Sequence, residues 1–369
     1  MNVLHLTTHL NVGGITTYIF RLVRPLKQLG VETFVLSSGG NCSGQFIEHG
    51  AKTFELPIRT KNELSPKIYF NLPAVKRILK ENKINLIHAH TRVTQVMAFW
   101  LQKSTGIPFV TTCHGYYKNR IGRRLLPAWG ERAIAISQGV AEHLSRDFGL
   151  PPARIKIISN GVDLEELDAS YRRHNTQSVK LSYGFKAGDP VVGIVARLVA
   201  DKGHEYLLRA LPLLIPEFPS LRLLIVGDGP FRAELEKLAR ALNLESRVVF
   251  TGSLKDVTHP LAATDIFVLP ATWREGFGLS IVEAMACGKP VIVSNIWSLN
   301  TLIQDGITGI LIPPKAPEPL AAAIKRLLNN NEERIRMSQL GQKRVAELFS
   351  IHRMAQEIYG LYGQSAQIP

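Results

Sequence analysis

The stretch IFVLPATWREGFGLSIVEAMACGKPVIV, residues 266–293, decides the fold. Short apolar runs at 266–270 and 290–293 have the length and make-up of buried strands. Between them lies a loop that opens into a short helix. Gly276 and Gly278 permit tight turning, and Gly288 with Pro290 gives a C-terminal stop. Strand, helix and strand in this order build a parallel sheet with crossover helices.

The same alternation extends in both directions. Apolar runs at 191–195, 222–226 and 248–251 complete the second half, and runs at 3–6, 33–37, 86–89, 109–112 and 133–136 form a similar series in the first half. The fold class is therefore α/β, with two doubly wound, Rossmann-like domains, in keeping with 369 residues and an apolar fraction of 45%. The seam is expected at Asn160-Gly161, a strong turn signal, which separates domains at 1–160 and 161–350. A polar, basic stretch from Asp168 to Lys180 follows, so the second domain proper is expected from about Tyr183. Residues 351–369 begin with an amphipathic segment carrying Met354, Ile358 and Leu361 on one face, and this segment is expected to pack back on the first domain.

Open α/β sheets bind ligands beyond the carboxyl ends of their strands, and the chemically promising residues fall there. The amides of Phe277, Gly278, Leu279 and Ser280 open a helix and suit a diphosphate. Glu275 precedes that helix while Glu283 lies more than a turn inside it, so the two carboxylates engage different hydroxyl pairs of one extended ligand rather than acting as a pair. Acidic residues beside a helix dipole account for the same pattern structurally. After the run at 191–195, Arg197 and Lys202 supply two cations able to neutralise a diphosphate and the charge growing on a leaving group; a surface ion-pair role is the alternative. Gly227 and Gly229 allow a base or ribose to approach closely, or form an ordinary turn. Ser253, after the next run, lines the same pocket. In the first half, Gly13 and Gly14 offer backbone amides to phosphates, and the dinucleotide spacing Gly-x-Gly-x-x-Gly is absent, which disfavours a dehydrogenase. His114 ends another run, where its imidazole can bond a sugar hydroxyl or assist proton movement, or serve the fold alone.

Charge divides unevenly. Residues 1–160 hold 21 Lys and Arg against 8 Asp and Glu, which leaves this half at +13 and the remainder at +1 of the total +14. Lys67, Lys76, Arg77, Lys80 and Lys83 form one basic group; Lys118, Arg120, Arg123 and Arg124 form another, interleaved with Ile121, Leu125 and Leu126. Such interleaving suits an anionic membrane surface. A nucleic-acid partner is not expected, because no helix-turn-helix, RNP-type or zinc motif is present; a solvated basic face is the plainer alternative. Three widely spaced cysteines, Cys42, Cys113 and Cys287, fit a reducing compartment, and the N-terminus reads as a buried strand rather than a signal peptide, so a cytoplasmic location is expected.

Together these residues resemble the family-4 retaining glycosyltransferases of GT-B fold. The Glu-x7-Glu spacing of Glu275 and Glu283 with its Gly-Phe-Gly carries most of the resemblance. Arg197 with Lys202-Gly203, the turn 226–230, Gly13-Gly14 and His114-Gly115 follow in the expected order. The resemblance implies two domains facing a central cleft, with 1–160 binding the acceptor and 161–350 the nucleotide sugar. It assigns Arg197 and Lys202 to the diphosphate, Glu283 to the ribose, Glu275 to the transferred sugar, His114 to the donor sugar and acceptor, and the Gly13-Gly14 loop to the phosphates, with further donor contacts from Gly227, Gly229, Ser253, Gly276, Phe277, Gly278 and Leu279. His114, Glu275, Arg197 and Lys202 are the expected catalytic group. Ser137 matches a common small-residue position without a firm role. The resemblance further implies no cofactor and no metal. A UDP-sugar is expected in preference to a GDP-sugar. The +13 first half and its basic, apolar-interleaved patch lead to the expectation of peripheral association with the inner membrane face, and with it a glycan or lipid-linked acceptor of envelope polysaccharide or glycolipid synthesis. A noncatalytic GT-B binding protein and a nucleotide-sugar epimerase are the rival readings.

Overall fold

The computed structural model describes residues 1–118, 122–123, 126–273 and 275–366. They form two units. One contains 1–161 together with 351–369, and the other contains 162–350.

In the first unit, β1 (Asn2–Leu6), β2 (Glu32–Ser37), β3 (Lys52–Glu55), β4 (Leu86–Ala89), β5 (Phe109–Cys113), β6 (Ala133–Ala135) and β7 (Ile155–Ile157) form one parallel sheet. Its order is β3-β2-β1-β4-β5-β6-β7, so the winding reverses between β1 and β4. The central strands are buried on both faces, which explains their unbroken apolar runs. The helix Ile351–Ala366 returns to this unit and packs on the helix Gly14–Gln28 and on β4 and β5. Met354, Ile358 and Leu361, with Ala355 and Tyr362, form its buried face.

The second unit repeats the plan with β8 (Val191–Val195), β9 (Arg222–Val226), β10 (Val248–Gly252), β11 (Ile266–Leu269), β12 (Val291–Ser294) and β13 (Ile310–Ile312). Their order is β10-β9-β8-β11-β12-β13, again parallel, with the reversal between β8 and β11. The decisive stretch folds as β11, loop, the helix Leu279–Ala286 and β12.

Three features differ from the sequence reading. The strands β3, β7 and β13 were not expected; they run only three or four residues, and β3 and β7 are half exposed, so neither leaves a long apolar run. The polar stretch 168–180 is not a prelude to the second domain but part of its packing. It holds the helices Leu164–Tyr171 and Thr176–Ser182, capped by Asp163 and Asn175, and both pack on the helix Thr258–Ala263. Lys180 is buried there and donates to Asp265 at 2.8 Å and to the Asp189 carbonyl at 2.9 Å, so its charge serves the core rather than a linker. Arg123, counted with the surface charges, is buried: its guanidinium lies 3.9 Å from the Tyr117 ring centroid, with Trp129 and Phe148 beyond, in a cation–π arrangement. Arg120, Ile121, Arg124 and Leu125 of the same basic group lie outside the described residues.

Candidate active site

In the second unit, the loops after β8, β9, β10 and β11 are bound to one another by their backbones. The Leu198 N–H donates to the Asp228 carbonyl at 3.0 Å, Gly227 to Gly252 at 2.9 Å, and Thr272 to Asp201 at 2.9 Å. Glycines make this possible. At Gly227, a Cβ would lie 2.0 Å from the Ala196 carbonyl oxygen, and at Gly229, 2.4 Å from that of Leu198. Their lack of a side chain therefore admits the neighbouring loop in the first place. Gly203 has φ +73°, and a Cβ there would lie 1.9 Å from the Pro270 carbonyl oxygen. The β8 and β11 loops are thus pressed together at Gly203, one residue from Lys202.

That approach brings Lys202 onto Glu275, whose carboxylate accepts from the lysine ammonium at one oxygen and from the Gly276 N–H, at 3.0 Å, at the other. Both side chains are mostly shielded from water, at 21% and 13% exposure, so this pair is held more firmly than a surface ion pair. Arg197, on the same β8 loop, is exposed, and no carboxylate pairs with it among the described residues. The loop then turns at Gly278, φ +89°, into a helix start that no side chain caps, which leaves the Leu279 and Ser280 amides at a positive helix end. Phe277 anchors the turn, its ring edge-on to Phe349 at 5.8 Å. Glu283 sits on the buried side of this helix, at 6% exposure, not on its solvent side. Ser253 is exposed just beyond β10. Next to Lys202, burial pushes His204 down to about 4, with the lysine charge adding to the effect.

In the first unit, Gly13 and Gly14 are exposed between β1 and an uncapped helix, Gly14–Gln28, and nothing lies within 4 Å of a Cβ built on Gly14. His114 follows β5 directly. It is the outer member of a cluster whose other histidines went unrecognised in the sequence. His5 of β1, His88 and His90 at the end of β4, and Thr112 of β5 share one face of the sheet, because residues two apart along a strand point the same way. His5 Nδ1 meets His90 Nε2 at 3.0 Å, and His90 Nδ1 meets His114 Nε2 at 3.1 Å. His88 bonds the Tyr362 hydroxyl at 2.6 Å and the Thr112 hydroxyl at 2.7 Å, and Tyr18 bonds the latter at 3.2 Å. Burial pushes His5 and His114 down to about 3 and holds His88 and His90 well below 6.5, so all four rings are neutral at pH 7. His5, His88 and His90 bring ligand atoms within 4.8 Å of one another, a spacing compatible with a metal ion. Both nitrogens of His88 and of His90 are already hydrogen-bonded, so an ion would have to displace those bonds. The readable signal was the period of two in His88-Ala-His90 and in Thr112-Cys-His114. Ser137, which had no assigned role, caps the helix Gln138–Phe148.

Both halves of the chain resemble known proteins. Residues 176–344 match the family described as Glycosyl transferases group 1, and residues 12–166 match Glycosyltransferase Family 4. The chain is 30% identical to a D-inositol 3-phosphate glycosyltransferase of Rhodococcus opacus, over 95% of this chain and 86% of that protein. It is 28% identical to an Escherichia coli UDP-Gal:alpha-D-GlcNAc-diphosphoundecaprenol alpha-1,3-galactosyltransferase, over 86% and 85% of the two chains. Its fold matches that of Anabaena Alr3699/HepE in complex with UDP-glucose, with a TM-score of 0.85 at 23% identity and coverage of 99% and 100%. With two parallel, doubly wound sheets and both halves of the sequence matched, the chain belongs to the group 1, family 4 glycosyltransferases of GT-B fold.

Proposed function

We propose that this glycosyltransferase moves a hexosyl unit, with retention of anomeric configuration and without a metal, from a UDP-sugar to a hydroxyl of a lipid-linked or glycan acceptor. The observation that carries the reading is the shielded Lys202–Glu275 pair beside the unpaired, exposed Arg197 at the carboxyl end of β8. Arg197, and the Lys202 ammonium through the hydrogens it does not give to Glu275, can both meet a diphosphate and favour its departure, which is the work a divalent ion does elsewhere. Glu275, fixed by Lys202 and the Gly276 amide, accepts from hydroxyls of the transferred sugar; Glu283 takes the ribose, and the Leu279 and Ser280 amides face phosphate oxygens. Gly227, Gly229 and Ser253 border the base. In the first unit, taken by itself, the Gly13-Gly14 amides suit a phosphate and His114 a sugar hydroxyl. As the sugar–phosphate bond loosens, the acceptor hydroxyl attacks from the same face and the departing phosphate takes its proton.

The UDP preference draws support from the relative and the structural neighbour whose names include UDP-sugars, and the lipid-linked acceptor from the diphosphoundecaprenol galactosyltransferase. A peripheral position on the inner face of the membrane draws on the helix Pro66–Glu81. Phe70 is 83% exposed there, with Tyr69 and the neighbouring Leu64 also exposed, among Lys67, Arg77 and Lys80. No helix of the described residues is long and apolar enough to cross a membrane.

The test is a panel of UDP- and GDP-sugars with lipid-diphosphate and glycan acceptors, assayed with and without EDTA, with the product anomer assigned. Retained configuration with a UDP-sugar, undiminished by EDTA, is expected; an inverted product or a chelator-sensitive rate overturns the corresponding part. Glu275→Ala should reduce transfer by at least 100-fold, on the order of one lost transition-state contact to a preorganised group, and leave UDP affinity within about threefold. Full transfer by that variant removes Glu275 from the mechanism.

A further inference from the structure

We infer that the buried imidazole chain from His5 through His90 to His114 holds His114 as its Nδ1–H tautomer, making it a fixed hydrogen-bond donor and not a proton acceptor at its outward nitrogen. His90 and His5 are then positioning residues. This inference rests on the transferase reading only for the identity of the group that receives the bond, a sugar hydroxyl.

Hydrogen-bond direction decides the tautomer. A neutral imidazole has one N–H and one lone pair, so a chain of three such rings has two self-consistent arrangements. In the first, His114 Nε2–H donates to His90 Nδ1, and His90 Nε2–H donates to His5 Nδ1. The surplus hydrogen is left on His5 Nε2, which is buried and has no partner among the described residues. In the second, His5 Nδ1–H donates to His90 Nε2, and His90 Nδ1–H donates to His114 Nε2. His5 Nε2 then carries only a lone pair, and the remaining hydrogen sits on His114 Nδ1. A buried N–H without an acceptor is the rarer and costlier defect, so the second direction prevails. A charged His90 donating both ways is the remaining arrangement. It would place an imidazolium among His5, His88 and His114 at 1% exposure with no carboxylate in contact among the described residues, and burial disfavours it.

The surroundings keep the rings in place. His5 and His90 stack with an interplanar angle of 8°, and Tyr18 sets its ring edge-on to His114 at 4.6 Å. His88, its nitrogens committed to Tyr362 and Thr112, packs against His90 at 4.2 Å between centroids. His114 is half-buried, and no partner meets its Nδ1 among the described residues, which leaves that N–H for a ligand. An outward N–H strengthens a bond to a sugar oxygen that gains charge during transfer. It cannot take the acceptor's proton.

The measurement is a long-range proton–nitrogen spectrum of the full chain labelled with 15N-histidine at pH 7.5, with His114 assigned by its loss in His114→Gln. The expected result is a protonated-type shift at His114 Nδ1 and an unprotonated-type shift at Nε2. The reverse pattern overturns the inference. His90→Asn keeps an N–H able to meet His114 Nε2, whereas His90→Asp presents only acceptor oxygens there. The first should hold the Nδ1–H pattern and transfer within about threefold of the native chain. The second should turn His114 to Nε2–H and lower kcat about tenfold, the worth of one hydrogen bond, with donor KM little changed. An unchanged His114 tautomer in His90→Asp also overturns the positioning role. The spectrum reads the tautomer whether or not any sugar is transferred: an inactive chain with His114 Nδ1–H defeats the transferase reading alone, and an active chain with Nε2–H defeats this inference alone.

Discussion

At the scale of single residues, the second unit's site depends on absent side chains as much as on present ones. Gly203 holds a left-handed conformation with its hydrogen against the Pro270 carbonyl, and the residue before it is Lys202. Gly203→Ala should therefore destabilise the second unit by roughly 2 kcal/mol or more, and should also lower transfer by separating Lys202 from Glu275. Thermal unfolding with a parallel assay checks this, and a variant that keeps both native values would contradict the close-packed loop. Residue-level legibility followed the kind of signal. Glu275 and Gly278 stand in one motif of fixed spacing and Lys202 in another with Arg197, so all three are readable from the local sequence. His5, His88 and His90 were not singled out, because a histidine within an apolar strand looks like any buried residue until the neighbouring strands are aligned. Which strands are neighbours is a property of the sheet, not of the local sequence.

At the scale of elements, the helix Ile351–Ala366 links apolar packing to the polar cluster. Ile358→Ala should cost roughly 2–5 kcal/mol through the cavity it leaves, and Tyr362→Phe about 1–3 kcal/mol by leaving His88 Nδ1 unpartnered in the interior. Gln356→Ala, on the exposed face, should stay within about 0.5 kcal/mol. Denaturant titrations followed by near-UV circular dichroism would rank the three, and an equal loss at all positions would deny that one face of this helix carries its stability. Central strands were legible because burial on both faces demands continuous apolar residues. Edge strands β3 and β7 make no such demand, and the helices at 164–182 were hidden by polar composition, although Asp163 and Asn175 are ordinary N-cap residues.

At the scale of the whole molecule, charge sets two expected behaviours. Four histidines of the first unit titrate well below the value of 6.5 that they take when unfolded. Below pH 6.5 the unfolded chain binds protons that the folded unit refuses, so stability falls as pH drops from 6.5 toward 3, by up to about 1.4 kcal/mol per pH unit for each ring, and is flat above 6.5 as far as these rings are concerned. Thermal scans from pH 7.5 to 4.5 should show this loss before carboxylates contribute; a midpoint constant down to pH 5 would show that the rings are not held neutral. The +13 charge of residues 1–160, with Phe70 exposed among lysines, should bring the chain down with anionic vesicles at low salt. Phe70→Ser should weaken the binding that persists at high salt, and failure to bind under either condition would count against a membrane surface. The return of the helix Ile351–Ala366 to the first unit has one more consequence, in time. The ribosome must deliver all of 162–350 before that helix emerges, so β4 and β5 wait without their cover and His88 without Tyr362 while the second unit is made. The first half of the chain is thus translated early and finished late, and in that interval its uncovered face is the natural target for a chaperone.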